Sequence, residues 1–158
     1  MRRAAVIGIL VLILLLGGSG MAEEKGMEGN LLLFIDGVAV DVEWEDNESV
    51  AALREWAAKE PLEIHMSMYG GFEQVGPLGA SLPRQDVQTQ TNYGDIVLYA
   101  GNQIVIFHGS NSWAYTRLGH IRDLSQAELR AMIGQHDVTI TLTASSGSRS
   151  SEFAVPDV

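Results

Sequence analysis

The chain of 158 residues has no cysteine, only four prolines and only 10 basic side chains against 20 acidic ones. Each shortage excludes something. Without thiols there are no disulfides, no cysteine nucleophile, no iron–sulfur cluster and no cysteine-ligated zinc. The formal charge of −10 opposes nucleic acid and anionic membrane surfaces as partners, because both are held by clustered Lys and Arg. Its four histidines, His65, His108, His120 and His136, fall in neither an HxH nor an HExxH pattern, so no metal site is expected. GxSxG, GxGxxG and GxxxxGK[ST] are also missing, which removes the nucleophile elbow and the glycine-rich phosphate cradles. Ser110 and Ser112 near His108 lack an orienting third group in the local sequence. Glu73, Asp86 and Asp95 are scattered carboxylates, and the ordinary work of Asp95, after Gly94, is to satisfy a turn amide. No cofactor is expected.

One long hydrophobic run is present. Met1-Arg2-Arg3, the apolar stretch Ala4 to Leu16 and the small residues Gly17 to Ala22 have the layout of a secretory signal peptide, with cleavage expected after Ala22. The leader holds Arg2 and Arg3 and no acid, so its removal leaves eight basic residues against 20 acidic, or −12. The run is shorter than the ~20 residues of a membrane span; an uncleaved segment tethering the protein to the membrane is the alternative. The expected location is therefore secreted or periplasmic, with no membrane contact by the mature domain. Residues 23–30 read as a linker, 31–143 as one domain, and 144–158, rich in Ser and Gly, as a disordered tail.

Within the domain the apolar pattern has a period of two. Leu31–Ile35, Asp36-Gly37 and Val38–Trp44 predict a hairpin, since Asp-Gly supplies the positive φ values of a tight turn. Val38, Val40, Val42 and Trp44 would share the inner face. Asn47 or Ser49 predicts the cap of a helix to about Lys59 with Val50, Leu53, Trp56 and Ala57 inward, stopped by Pro61. Leu62, Ile64, Met66 and Met68 predict a third strand. From Tyr69 to Thr91 the chain turns rich in glycine, as in a structured excursion over a barrel mouth. Ile96–Tyr99 and Ile104–Phe107 predict two strands, and Trp113–Leu118 another strand or extended edge. Ser125 with Glu128 predicts a capping box for a short helix ended by Gly134, and Asp137–Thr143 the final strand. Seven or eight short strands with two helices are expected to form a closed or nearly closed β-barrel with its ends plugged.

The segments Tyr69-Gly70-Gly71-Phe72-Glu73, Gly76-Pro77-Leu78-Gly79, Leu82-Pro83-Arg84-Gln85-Asp86, Gly94-Asp95-Ile96-Val97-Leu98-Tyr99, Gly101-Asn102-Gln103 and Gly109-Ser110-Asn111-Ser112-Trp113-Ala114-Tyr115-Thr116-Arg117-Leu118-Gly119 together resemble the bacterial cyclophilin-like domain family, over about Leu31 to Thr143. The resemblance implies a mainly β protein, a closed eight-stranded cyclophilin-like barrel with two short helices. True cyclophilins are peptidyl-prolyl isomerases whose catalytic arginine lies in a Phe-His-Arg segment. Here Phe107-His108 is followed by Gly109, so no catalytic residue is carried over.

Binding residues are sought where polarity and aromatics coincide. Strand periodicity puts Asn111, Trp113, Tyr115 and Arg117 on one face, combining flat rings with polar handles, an amide and a fork of donors. Arg84 and Phe72, on the excursion, would face the same mouth. The leading expectation is a binding or accessory module outside the cytoplasm for a peptide or small polar ligand. Prolyl isomerisation is the second, with Arg84 or Arg117 as donor toward the proline nitrogen and Phe72 or Trp113 as the pocket. A non-catalytic protein-interaction domain is the third. The ordinary alternative for the strip is aromatic core, a turn asparagine and a paired arginine.

Overall fold

The computed structural model describes residues 29–145; the expected leader, most of the linker and most of the tail lie outside them. Strand β1 (Leu31–Ile35) turns through Asp36 (φ 47) and Gly37 (φ 80) into β2 (Val38–Val40). Positive φ at both turn positions matches the right-handed twist of the paired strands, as the Asp-Gly pair predicts. Then come β3 (Val42–Trp44), α1 (Glu48–Lys59), β4 (Leu62–His65), β5 (Ser67–Tyr69), β6 (Glu73–Pro77) and β7 (Val87–Gln90). They are followed by β8 (Asp95–Tyr99), β9 (Gln103–Phe107), β10 (Ser112–Ile121), α2 (Gln126–Ile133) and β11 (Thr139–Ala144).

Both helix starts follow from their caps. The Asn47 side chain accepts from the Val50 N–H at 2.9 Å, and α1 buries Val50, Leu53 and Ala57. In α2, Ser125 Oγ accepts from the Glu128 N–H while a Glu128 carboxylate oxygen accepts from the Ser125 N–H at 2.7 Å. That reciprocal box holds the Glu128 carboxyl below its ordinary range, through its bonds to Ser125.

The strands form a four-stranded sheet in the order β2-β1-β11-β4 and a seven-stranded sheet with the path β3-β10-β8-β9-β6-β5, with β7 pairing the start of β10. This corrects the expected closed eight-stranded barrel: the protein is mainly β with two short helices, but its two sheets are not closed into one barrel. The reason lies in two segments that alternation reads as single strands. Val38–Trp44 creases at Asp41 and Leu62–Tyr69 creases at Met66, so the first half of each belongs to the small sheet and the second half to the large one. At the creases backbone donors leave the regular ladder. Asp41 N–H bonds Asp123 Oδ1 at 3.1 Å, and Met66 N–H bonds the Val138 carbonyl at 2.8 Å. Val38 and Met68, on the apolar sides of those alternating segments, are 52% and 39% exposed.

The main core gathers β1, β11 and both helices against one face of the large sheet, with Leu33, Ile35, Leu53, Ile96, Leu98, Ile104, Ile106, Leu129 and Ile133 buried. On the opposite face of that sheet Val97, Val105, Phe107 and Tyr115 form a second, smaller cluster, with Phe72 and Val75 against it. Alternation along β8 and β9 assigns neighbours to opposite clusters. The expected excursion Tyr69–Thr91 contains strands β6 and β7; its part between them, 78–86, lies against the β8–β9 turn, with Leu78 N–H on the Asn102 carbonyl and Leu82 N–H on the Gly101 carbonyl.

Candidate functional site

The second cluster floors a recess of about 410 Å³ on the outer face of the large sheet. Val75, Val105 and Tyr115 line it along with Tyr69, Tyr99 and Trp113, and Glu73, Gln103 and Asn111 complete it. Register puts these side chains together. Tyr69 pairs with Glu73, which pairs in turn with Phe107; Val75 pairs with Val105, and Tyr99 with Gln103. Between Tyr69 and Glu73 the chain reverses through Gly70 (φ 63) and Gly71 (φ 73). A Cβ on Gly70 would run into the Phe72 ring, so glycine is required both by φ and by the fold-back of that ring. Phe72 then stacks on Phe107, with centroids 6.5 Å apart and planes within 2°.

Tyr115 is the hub of the floor. Its ring meets Phe107 edge-on at 5.8 Å and Tyr99 at 6.2 Å, geometries that suit the aromatic quadrupole. Its hydroxyl accepts from Asn111 Nδ2 at 2.9 Å. Burial pushes the phenol up, the Asn111 bond partly opposes this, and the charge of Glu73 adds to the rise. Asn111 is itself fixed, its N–H bonding Thr91 Oγ1 at 2.9 Å and its carbonyl accepting from the Thr91 N–H at 2.8 Å. Trp113 pairs in register with Thr89 of β7 and is 57% exposed.

Glu73 is the chemical anomaly. Its side chain is buried in the apolar floor, its Oε2 has no hydrogen-bond partner, and desolvation pushes its carboxyl up to about 7. The sequence reading sees Glu73 only as one scattered carboxylate. Its alternation with Val75, opposite the hydrophobic β9, is the signal that an acid lies on an apolar strand face. A second anomaly lies across the sheet. His108 is buried with neither ring nitrogen bonded. Burial first, and then Arg130, hold its imidazole below the ordinary range.

The six candidate residues divide between places. Asn111, Trp113 and Tyr115 line the aromatic recess, and Phe72 backs it through Phe107. Arg84 and Arg117 line a separate cavity of about 340 Å³ with Asn47, Ser49, Pro83 and Thr116. Arg84 Nε lies 3.5 Å from Asp86 Oδ2, and Arg117 Nη1 lies 3.4 Å from Asp95 Oδ1. Asp95 also meets His120 Nδ1 at 2.8 Å and accepts from the Asn92 N–H at 2.7 Å, the turn role expected of it. Ser112 Oγ accepts from Gln88 Nε2 at 3.1 Å. The described residues contain no group of three His, Cys, Asp or Glu side chains able to hold a metal ion, and no helix among them is long and apolar enough to cross a membrane.

These features define a mainly β domain of two sheets with an aromatic recess on the larger one. The chain belongs to the cyclophilin-like family, whose model matches residues 33–144. Its fold is similar to the solution structure of a hypothetical protein from Archaeoglobus fulgidus, at 16% identity and a TM-score of 0.51, covering 75% of this chain and 96% of that one. A comparison with curated proteins gives no match.

Proposed function

We propose that this member of the cyclophilin-like family is a non-hydrolytic binding or accessory module acting outside the cytoplasm, and that the aromatic recess takes a peptide or small polar ligand. The observation that carries the reading is the buried Glu73 carboxyl, its Oε2 without a partner, beneath a partly exposed set of rings. Concave, mostly apolar surfaces with a few convergent polar groups are how small-ligand sites are built. Asn111 and Gln103 supply amide donors and acceptors at the rim. Prolyl isomerisation is less well supported, because an arginine donor and an apolar pocket must act on one proline, whereas Arg84 and Arg117 line a different cavity from Trp113.

The test is an NMR titration of isotope-labelled protein with short peptides, with and without proline, combined with exchange spectroscopy on the X-Pro bonds. Saturable shifts centred on Asn111, Trp113 and Tyr115 are expected, without faster cis/trans exchange. Shifts absent from the recess at millimolar peptide would sink the binding reading. Accelerated exchange lost in Arg84→Ala or Arg117→Ala would replace it with the isomerase.

A further inference from the structure

Four aromatic side chains, Tyr69, Tyr99, Trp113 and Tyr115, line one recess together with one buried carboxyl. Trp113 and Tyr69 are 57% and 66% exposed, while Glu73 is only 7% exposed and one of its oxygens has no partner. Among the described residues neither lysine nor arginine lines the recess to neutralise that acid. Aromatic faces attract cations through their quadrupole, and this attraction grows when the cation is desolvated. A carboxylate beneath the rings adds a charge-assisted partner for the same cation. Anionic ligands meet the opposite situation, an uncompensated acid in an acidic protein.

We propose that the recess is an aromatic cage for an organic cation, an alkylammonium head group carried by a small molecule or a lysine side chain, with Glu73 as its counter-charge. The proposal rests on the recess being a ligand site and names the class of ligand. Tyr99 and Tyr115, locked edge-to-face at 6.2 Å, give a preformed wall. Tyr69 and Trp113 give the open side through which a head group enters. Val75 and Val105 accept the methyl or methylene groups beside the charge.

The experiment follows the indole and tyrosine ring signals at about pH 8, above the value of about 7 to which Glu73 is raised, so that most of this carboxyl is ionised, during additions of choline and of its neutral isostere 3,3-dimethylbutan-1-ol. A parallel pair is a short blocked peptide with lysine and the same peptide with norleucine. Saturable shifts at Trp113 are expected with the cationic member of at least one pair, and the pair that responds identifies the carrier. The neutral partner should bind about tenfold more weakly or worse, and Glu73→Gln should lose a similar factor while keeping the wild-type spectrum elsewhere. Trp113→Phe, which keeps a ring, should bind more weakly than wild type but better than Trp113→Ala. Equal affinity for cation and isostere, or unchanged affinity in a folded Glu73→Gln protein, overturns the cage but leaves the recess as a ligand site. A recess silent to cations yet saturated by other peptides has the same meaning. Silence toward every probe overturns both readings.

Discussion

The two faces of the large sheet are built from adjacent residues of the same strands, yet they end in different states. On one face Ile96, Leu98, Ile104 and Ile106 meet β1, β11 and both helices, with Gln74, His108 and Thr116 among the few buried polar side chains near them. Gln74 is answered there in part: its Nε2 donates to the Ile133 and His136 carbonyls at 2.8 and 2.7 Å, closing the end of α2, while its Oε1 and both His108 ring nitrogens have no partner. On the other face Val97, Val105, Phe107 and Tyr115 have no covering layer of helices among the described residues, and Glu73 is buried there with its Oε2 unpartnered. One face is covered by the chain itself. The other is left with room above a buried acid, which is the usual mark of a surface shaped for something besides stability.

The contrast is broken most severely from the inner side. Ile106→Ala should cost about 2–5 kcal/mol, read as a lower urea midpoint with an unchanged slope, because the packed core cannot collapse onto the lost atoms. The next largest effect should be of opposite sign. Glu73 has its folded carboxyl raised from 4.5 to about 7, so the folded state binds more protons than the unfolded chain across that interval. Stability is therefore highest below pH 4.5 with respect to this group and is lost as pH rises toward 7. Glu73→Gln should remove this slope and stabilise the protein above pH 7 by up to about 3 kcal/mol, measured by denaturation at several pH values. His108 contributes the reverse dependence. Its imidazole is held below 6.5, and stability falls as pH drops below that value and the unfolded chain takes up the proton. The difference between wild type and Glu73→Gln isolates the outer-face part.

Smaller changes sharpen the comparison. Arg117→Ala removes a half-exposed partner of Asp95, which keeps His120 and the Asn92 amide. A loss of about 1 kcal/mol in thermal unfolding is expected, with titrations at the recess unchanged. Trp113→Ala should leave stability within about 0.5 kcal/mol, since the ring is largely exposed, while weakening occupancy of the recess about tenfold. A large stability loss in that variant would make Trp113 a packing residue and remove the functional distinction between the faces.

Local signals carried far in this chain. Asn47, Ser125 with Glu128, and Asp36-Gly37 specify their caps and turn through chemistry confined to a few residues, so those elements are readable without tertiary knowledge. Alternation also located the paired strands β8 and β9. It failed at Asp41 and Met66, because a crease in a strand is set by distant partners, Asp123 and Val138, and these have no local signature. The same limit divides the candidate residues. A shared strand parity placed Asn111, Trp113 and Tyr115 together, but the direction of a long arginine side chain depends on its acid, and Asp95 drew Arg117 away. Glu73 was legible only as a scattered carboxylate in a glycine-rich excursion; that it opens strand β6 and is surrounded by Tyr69, Tyr99 and Trp113 required the register of five strands.

The pairing of β1 with β11, residue for residue from Leu31↔Ala144 to Ile35↔Ile140, sets the order in which this molecule can be assembled. These are the two central strands of their sheet, and they lie at opposite ends of the folded region. The small sheet therefore cannot form until nearly all of the domain has been synthesised. Closing so long a loop before any reward is gained slows folding relative to a chain of local contacts. A nascent polypeptide of this sequence stays unfinished until β11 emerges, and then the two ends of the described domain lock side by side.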